Sequence, residues 1–142
     1  MMRQTFAELE FADESDRKKK YVMAESDNRI VLCGASAYEQ KYYFNPIFEK
    51  IPKSIQDELR IICTLFTEEV GGVITLVFEE DGALSIDTEY AEDDFYYDEI
   101  SSGLMVRKIK STREELLESL VLYYRVFVKH EDINQLLAQE EE

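Results

Sequence analysis

Residues on which metal and nucleotide sites depend are scarce in this sequence. It contains no tryptophan, one histidine, two cysteines and five glycines in 142 residues. A structural zinc ion needs about four Cys, His or carboxylate ligands, whereas Cys33 and Cys63 lie far apart without paired spacing. Neither the GxxxxGK(S/T) nor the GxGxxG phosphate-binding pattern occurs, and the acidic segment lacks the ligand spacing of an EF-hand. We therefore expect no metal site and no cofactor.

A complete catalytic arrangement is also missing. The stretch GASAY, residues 34–38, matches the first half of the GxSxG nucleophile elbow, but Tyr38 stands where the second glycine belongs. A helix cap explains Ser36, and core packing explains Cys63, because it lies in an apolar run. We expect a non-catalytic protein, and an enzyme that uses carboxylates or a cysteine is the alternative left open.

Long apolar runs are absent as well. No run approaches the roughly 20 residues that a membrane-spanning helix needs, and the N-terminal region has no apolar stretch of signal-peptide length. Cys33 and Cys63 each lie in an apolar run, which suits buried thiols that stay reduced in a cytosolic compartment. We therefore expect a cytoplasmic protein that does not bind membranes.

Positive charge is missing from a third of the chain. The formal net charge is −15, and residues 61–106 hold twelve acids but no lysine or arginine. Nucleic-acid binding needs a basic face, and anionic membranes repel an acidic surface, so we expect neither partner. The acids either form a solvated surface or meet a basic protein partner. Bases gather near the start and after the acidic stretch, at residues 17–20 and at Arg107, Lys108, Lys110 and Arg113.

Hydrophobic periodicity predicts most of the elements. RIVLC, residues 29–33, is short and β-branched, which indicates a strand. VITLVF is followed by Asp81-Gly82, a strong turn signal, so we expect a hairpin of strands at about 73–79 and 83–90. Apolar residues at helical spacing predict helices over about 53–70 and 112–129.

Capping patterns predict two helix starts. Ser36 and Glu39 have the S-x-x-E spacing of a capping box, which predicts a helix over 37–44 that Asn45-Pro46 ends. Ser111 and Glu114 repeat the pattern before the last helix. Residues 94–103 favour a helix, while 104–110 fit either a helix or a further strand.

These elements predict an α+β fold, a small antiparallel sheet with helices packed on one face. We expect a charged N-terminal arm or exposed helix over 1–28, one globular domain over 29–130 and an acidic tail over 131–142. Met23 would serve as an alternative start, so the arm is expected to be dispensable.

Two groups of residues are candidates for function. The first is an acidic segment interleaved with aromatics, which is typical of an interaction surface: Glu89, Tyr90, Asp93, Asp94, Phe95, Tyr96, Tyr97 and Asp98. The second lines the core, a partner interface or a pocket: Cys33, Tyr38, Tyr42 and Tyr43. The predicted function is protein binding, with a homodimer and a basic protein as candidate partners. The alternative is an acidic decoy, inhibitor or immunity-type protein.

Three stretches carry a family resemblance: VLCGASAYEQKYYFN, IICTLFTEEVGGVITLVFEEDG and ELLESLVLYYRV. They resemble a family of short, acidic bacterial proteins of unassigned function, over about residues 30–130. The resemblance implies an intracellular bacterial protein outside the familiar enzyme classes. It supplies no catalytic residues.

Overall fold

The computed structural model describes residues 29–128, and the predicted arm at 1–28 and tail at 131–142 lie outside them. A four-stranded antiparallel sheet has the order β2-β1-β3-β4. Together with the helices it confirms the α+β fold. The elements are β1 (Ile30–Ser36), β2 (Lys41–Phe44), a 3-10 turn (Pro46–Phe48), α1 (Lys53–Glu69), β3 (Val73–Phe78), β4 (Leu84–Glu89), α2 (Glu99–Thr112), α3 (Glu114–Tyr123) and a π-helical turn (Tyr124–Val128).

The main core lies between the sheet and the helices. Val31 pairs with Val77 and Cys33 with Leu76, so β1 contains a bulge at Leu32. The bulge lets two consecutive side chains, Leu32 and Cys33, both enter this core. α1, α2 and α3 all contribute buried residues to the same cluster, so the described helices pack on one face of the sheet, as predicted.

Aromatic rings close one end of this core. The Phe78 ring on β3 stacks on Tyr124 at 4.2 Å between centroids and lies 5.5 Å from Phe48. Phe48 comes from the 3-10 turn, which Asn45 caps by accepting from the Ile47 N–H. Asn45 also donates to the Val31 carbonyl at 2.7 Å, and the turn is thereby tied to β1.

The predicted helix over 37–44 is wrong. The Ser36 hydroxyl does accept from the Glu39 N–H at 3.2 Å, as a capping box requires. However, Gln40 adopts a positive φ of 52° and reverses the chain, and β2 then pairs with β1. The capping residue therefore starts a hairpin turn, because pairing along β1 satisfies more backbone groups than one short helix could.

The region after the acidic segment also differs from its prediction. The alternative strand at 104–110 is wrong, since these residues lie inside α2. The second capping box is wrong too: Ser111 belongs to the last turn of α2 and donates to the Lys108 carbonyl at 3.1 Å. A break at Arg113 separates α2 from α3, so the helix predicted over 112–129 begins at Glu114 and ends in the π-helical turn.

Candidate functional site

Residues 90–98 connect β4 to α2, and we call them the aromatic loop. Tyr38, in the turn between β1 and β2, reaches across to this loop. Its hydroxyl accepts from the Ala91 N–H at 2.9 Å and donates to Asp94 Oδ2 at 2.6 Å. Desolvation and the Asp94 carboxylate raise the pKa of Tyr38. Tyr38 and Asp94 were predicted in different candidate groups, but the fold brings their side chains into hydrogen-bonding contact.

Asp94 also restrains the backbone of the aromatic loop, through its second carboxylate oxygen. Its Oδ1 atom accepts from the N–H groups of Tyr96 and Tyr97, each at 3.2 Å. One carboxylate therefore links the β1–β2 turn to the middle of the aromatic loop. This arrangement fixes the backbone on which Phe95 and Tyr96 are carried.

Two stacked tyrosines hold the base of the loop. The rings of Tyr90 and Tyr97 lie 4.5 Å apart and nearly parallel. The Tyr97 hydroxyl donates to Ser102 Oγ at 2.6 Å, and the Tyr90 hydroxyl bonds to Glu99, which raises the pKa of Tyr90. These contacts join the loop to the first turns of α2.

Asp98 ends the loop by capping α2. Its side chain accepts from the Ser101 hydroxyl at 2.8 Å and from the Ile100 N–H at 3.0 Å. Both hydrogen bonds favour the ionised carboxylate, and together they lower the pKa of Asp98. The residue is thus a structural cap, which the sequence had placed only within a candidate surface.

Phe95 and Tyr96 are left out of this network of side chains. The Phe95 side chain is 89% exposed and that of Tyr96 is 98% exposed. Glu92 and Asp93, just before them, are exposed as well, while Glu89 is the last residue of β4. The loop therefore displays two large aromatic side chains next to carboxylates, on a backbone that other residues hold in place.

The second candidate group divides between the two faces of the sheet. Cys33 and Tyr42 lie on the helix side, next to Cys63 of α1, whereas Tyr43 lies in a small cluster with Val31, Val73 and Val77. The Cys33 and Cys63 sulfurs are 3.9 Å apart, and both thiols are free and buried. Only Cys33 and Tyr42 of the four predicted residues are brought together.

Burial in this cluster shifts the pKa of the Cys63 thiol and of the Tyr42 hydroxyl. The hydrogen bond with Cys33 and burial raise the pKa of the Cys63 thiol well above its ordinary value. Burial, followed by the two neighbouring thiols, raises the pKa of Tyr42. The thiolate is the reactive form of cysteine, so the raised pKa makes Cys63 less reactive than an ordinary thiol, and both cysteines pack in the core. The proximity of Cys63 to Cys33 was not visible in the sequence.

Within residues 29–128, no three His, Cys, Asp or Glu side chains are grouped as metal ligands. An open groove of about 500 Å³ lies between β4 and α3 and is lined by Leu84, Leu117, Glu118 and Val121, none of which is a candidate residue. None of the described helices has the length and apolar character needed to cross a membrane.

Comparison with known proteins gives one match. The model of a family described as "Family of unknown function (DUF6145)" matches residues 29–132. No curated protein and no solved structure matches the chain. The match covers the domain that carries the aromatic loop, and it brings no activity with it.

Proposed function

We propose that this chain, which belongs to the family of unknown function DUF6145, acts by binding a protein partner through its aromatic loop. The observation that supports the proposal is the exposure of Phe95 and Tyr96, at 89% and 98%, on a loop that hydrogen bonds restrain. Aromatic side chains are enriched among the residues that contribute most binding energy at interfaces. Folding of the described domain gives no reason for their presence.

The restrained backbone favours binding in energetic terms. Burying one large apolar side chain contributes about 2–3 kcal/mol, and ordering a loop on association subtracts from that gain. Here Tyr38 and Asp94 order the loop before any partner arrives. Most of the contact energy of Phe95 and Tyr96 would therefore appear as affinity.

The charge around the aromatic loop indicates which kind of partner would bind it. Glu92, Asp93 and Asp98 are exposed beside the two aromatic side chains, and no lysine or arginine occurs in residues 61–106. A partner with an apolar pocket and a basic rim is complementary to this surface. The buried, free thiols suit a reducing compartment, so we place the encounter in the cytoplasm and assign the chain no catalytic step.

A decoy is the second candidate, and the exposed carboxylates of the loop favour it. Such a protein would occupy the basic site of its partner and exclude the partner's anionic ligand. Decoy action predicts competition with that ligand, in addition to binding. Simple binding predicts a complex in which the ligand site stays open.

Affinity capture tests the proposal. The full chain, the double variant Phe95→Ala/Tyr96→Ala and the control Ile61→Ala/Leu65→Ala would each be used as bait in lysate of the native cell. The control removes an exposed apolar pair from α1 instead. A basic protein recovered by the wild type and the control, and lost with the loop variant, would then be purified. Its affinity is expected to fall at least about 30-fold in the loop variant. Equal affinity of all three baits for every recovered protein would refute the proposal.

A further inference from the structure

The strands bury apolar side chains on both faces of the sheet. On the face opposite the main core, which we call the second face, Val31, Tyr43, Val73 and Val77 form a cluster of their own and are between 3% and 8% exposed. Every member of this cluster comes from a strand, whereas the buried apolar residues of α1, α2 and α3 all belong to the main core. Among residues 29–128, therefore, no helix packs on this cluster.

Side chains buried to this extent do not belong to a sheet face in contact with water. An antiparallel sheet with one solvated face alternates apolar and polar residues along its strands, but β3 has the sequence VITLVF and contains a single polar residue. A continuous apolar run is typical of a strand that is covered on both faces. A part of the protein other than the described helices therefore covers the second face.

The described chain begins on this same face. Arg29 donates to Glu79 at 2.8 Å and to Asp87 at 2.7 Å, and Asp87 lies opposite Thr75 in the β3–β4 register. Residues directly opposite each other in a register share a face, so Arg29 and its two carboxylates lie on the second face. The chain that precedes Arg29 therefore joins the sheet at this surface, whereas Val128, at the other end of the described range, packs against the main core.

We propose that residues 1–22 of this chain bind the second face and form an additional layer on the sheet. This segment carries apolar side chains that suit the valine cluster: Phe6, Leu9, Phe11, Tyr21 and Val22. Residues 23–28 connect it to Arg29 and span up to about 20 Å when extended, which is about the length of a six-residue strand such as β3. The segment is then required for the fold, contrary to the expectation that the alternative start at Met23 suggested.

Charge favours this segment over the other end of the chain. Residues 1–22 hold five bases and five acids, and four of the bases are consecutive, at 17–20. The second face carries the carboxylates of Glu79, Asp87 and Glu89 along β3 and β4, which a basic run complements. Residues 131–142 contain five acids and no lysine or arginine, so they would place like charges against the same surface.

Thiol accessibility in the full chain tests the proposal. Val77→Cys places a small side chain in the valine cluster, where the rate of reaction with the thiol reagent DTNB reports how often solvent reaches it. We expect this rate to be at least about tenfold below that of Ile61→Cys, at an exposed position on α1. Cys33 and Cys63 are buried, and the unsubstituted chain measures their background reaction.

Two matched deletions identify the segment that covers the cluster. A chain that begins at Met23 lacks residues 1–22, and its Val77→Cys variant should react at least about tenfold faster. A chain that ends at His130 should react as slowly as the full chain, and circular dichroism would verify that each deletion is folded. Equal rates for Val77→Cys and Ile61→Cys in the full chain, an unchanged rate in the chain that begins at Met23, or a rate that rises only in the chain that ends at His130 would each overturn the proposal. A rate that rises on dilution at fixed DTNB concentration would also overturn it, because a second copy would then be the cover.

Cross-linking of the wild-type full chain tests the same contact even where the chain that begins at Met23 does not fold. A carbodiimide joins a lysine amine to a carboxylate as an amide, with loss of water, where the two groups are in contact. We expect mass spectrometry to find this amide between a lysine at 18–20 and Asp87 or Glu89, in molecules of the 16.7 kDa mass of one chain. The exposed Lys110 of α2 is the control and should not couple to these acids. Coupling found only in molecules of twice that mass, or none from the lysines at 18–20 to the second face, would contradict the proposal.

Discussion

Tyr38 connects the β1–β2 turn to the aromatic loop through a single hydroxyl, which donates to Asp94 and accepts from Ala91. At the scale of residues, this bond explains why a loop with exposed aromatics has a fixed backbone. Tyr42 shows the contrast four positions later: its hydroxyl is buried beside two thiols. Removing the hydroxyl of Tyr38 should therefore affect the protein differently from removing the hydroxyl of Tyr42, although the two tyrosines lie four residues apart.

Tyr38→Phe should loosen the aromatic loop and lower the free energy of unfolding by about 1 kcal/mol, since it deletes a hydrogen bond to a carboxylate. Hydrogen exchange at the amides of Ala91, Tyr96 and Tyr97 should accelerate. Tyr42→Phe is the matched control, with a stability change within about 0.5 kcal/mol and unaltered exchange in the loop. Unchanged exchange in Tyr38→Phe would show that the loop is held by other contacts.

Stability should fall as the pH rises above the ordinary thiol pKa of about 8.5. The pKa of Cys63 is raised in the folded chain, so the unfolded chain releases its proton first and ionisation favours unfolding. Below that pH both states hold the proton and the effect vanishes. Urea unfolding at pH 7, 8, 9 and 10 would measure the slope, and Cys63→Ala should reduce it. An identical slope in Cys63→Ala would assign the dependence to other groups.

At the scale of elements, the two glycines after α1 have different tasks. Gly71 and Gly72 both have positive φ, at 91° and 67°. A Cβ on Gly71 would meet nothing within 4 Å, whereas one on Gly72 would lie 2.6 Å from the Glu89 carbonyl oxygen and from the Tyr97 ring. Gly72 therefore lets α1 pass into β3 directly beneath the aromatic loop.

Gly71→Ala should cost about 1 kcal/mol of stability, the strain of a positive φ. Gly72→Ala should cost at least about 1 kcal/mol more, because a backbone carbonyl and an aromatic ring must move. Thermal or urea unfolding of the two variants compares them directly. Similar losses for both would mean that β4 and the aromatic loop shift at little cost.

Element prediction succeeded where the local signal was strong. α1 was predicted correctly because its apolar periodicity matches a single buried face. The β3–β4 hairpin was predicted correctly because an apolar, β-branched run precedes a strong turn signal. α2 was ambiguous over 104–110, since Leu104 is exposed while Met105 and Val106 pack against the core. When apolar residues lie on both sides of a helix, the sequence no longer shows the periodicity by which a helix is recognised.

The helix predicted over 37–44 failed for a different reason. Its capping hydrogen bond from the Glu39 N–H to Ser36 forms, but the local signal does not say whether a helix or a turn follows. β2 exists because β1 offers it a pairing edge. Pairing between strands depends on residues distant in sequence, so tertiary context overrides local preference.

At the scale of the whole molecule, the net charge and the positions of individual charged residues together affect which surfaces can contact other proteins. The net charge of −15 repels other acidic surfaces, so contacts with other proteins depend on where the few bases and exposed apolar side chains lie. Arg29 is held by Glu79 at 2.8 Å and by Asp87 at 2.7 Å on the sheet. Arg107, Lys108 and Lys110, by contrast, are exposed on α2.

Moderate salt should stabilise the folded chain, because screening weakens repulsion among the acids. At a low protein concentration, raising NaCl from 10 mM to 300 mM should increase the melting temperature by a few degrees. Differential scanning fluorimetry measures the change. A lower melting temperature in salt would show that ion pairs such as that of Arg29 outweigh the general repulsion.

The sequence by itself determined the α+β class, the main hairpin, the core helix α1 and the acidic character of the loop, because composition and periodicity are local properties. Only the tertiary structure decided that Tyr38 restrains Asp94, that Cys33 meets Cys63, and that Phe95, Tyr96, Ile100 and Leu104 stay exposed. Which side chains meet, and which remain in solvent, depends on how distant segments pack. The sequence alone does not distinguish an apolar residue that packs in the core from one that stays exposed at the surface.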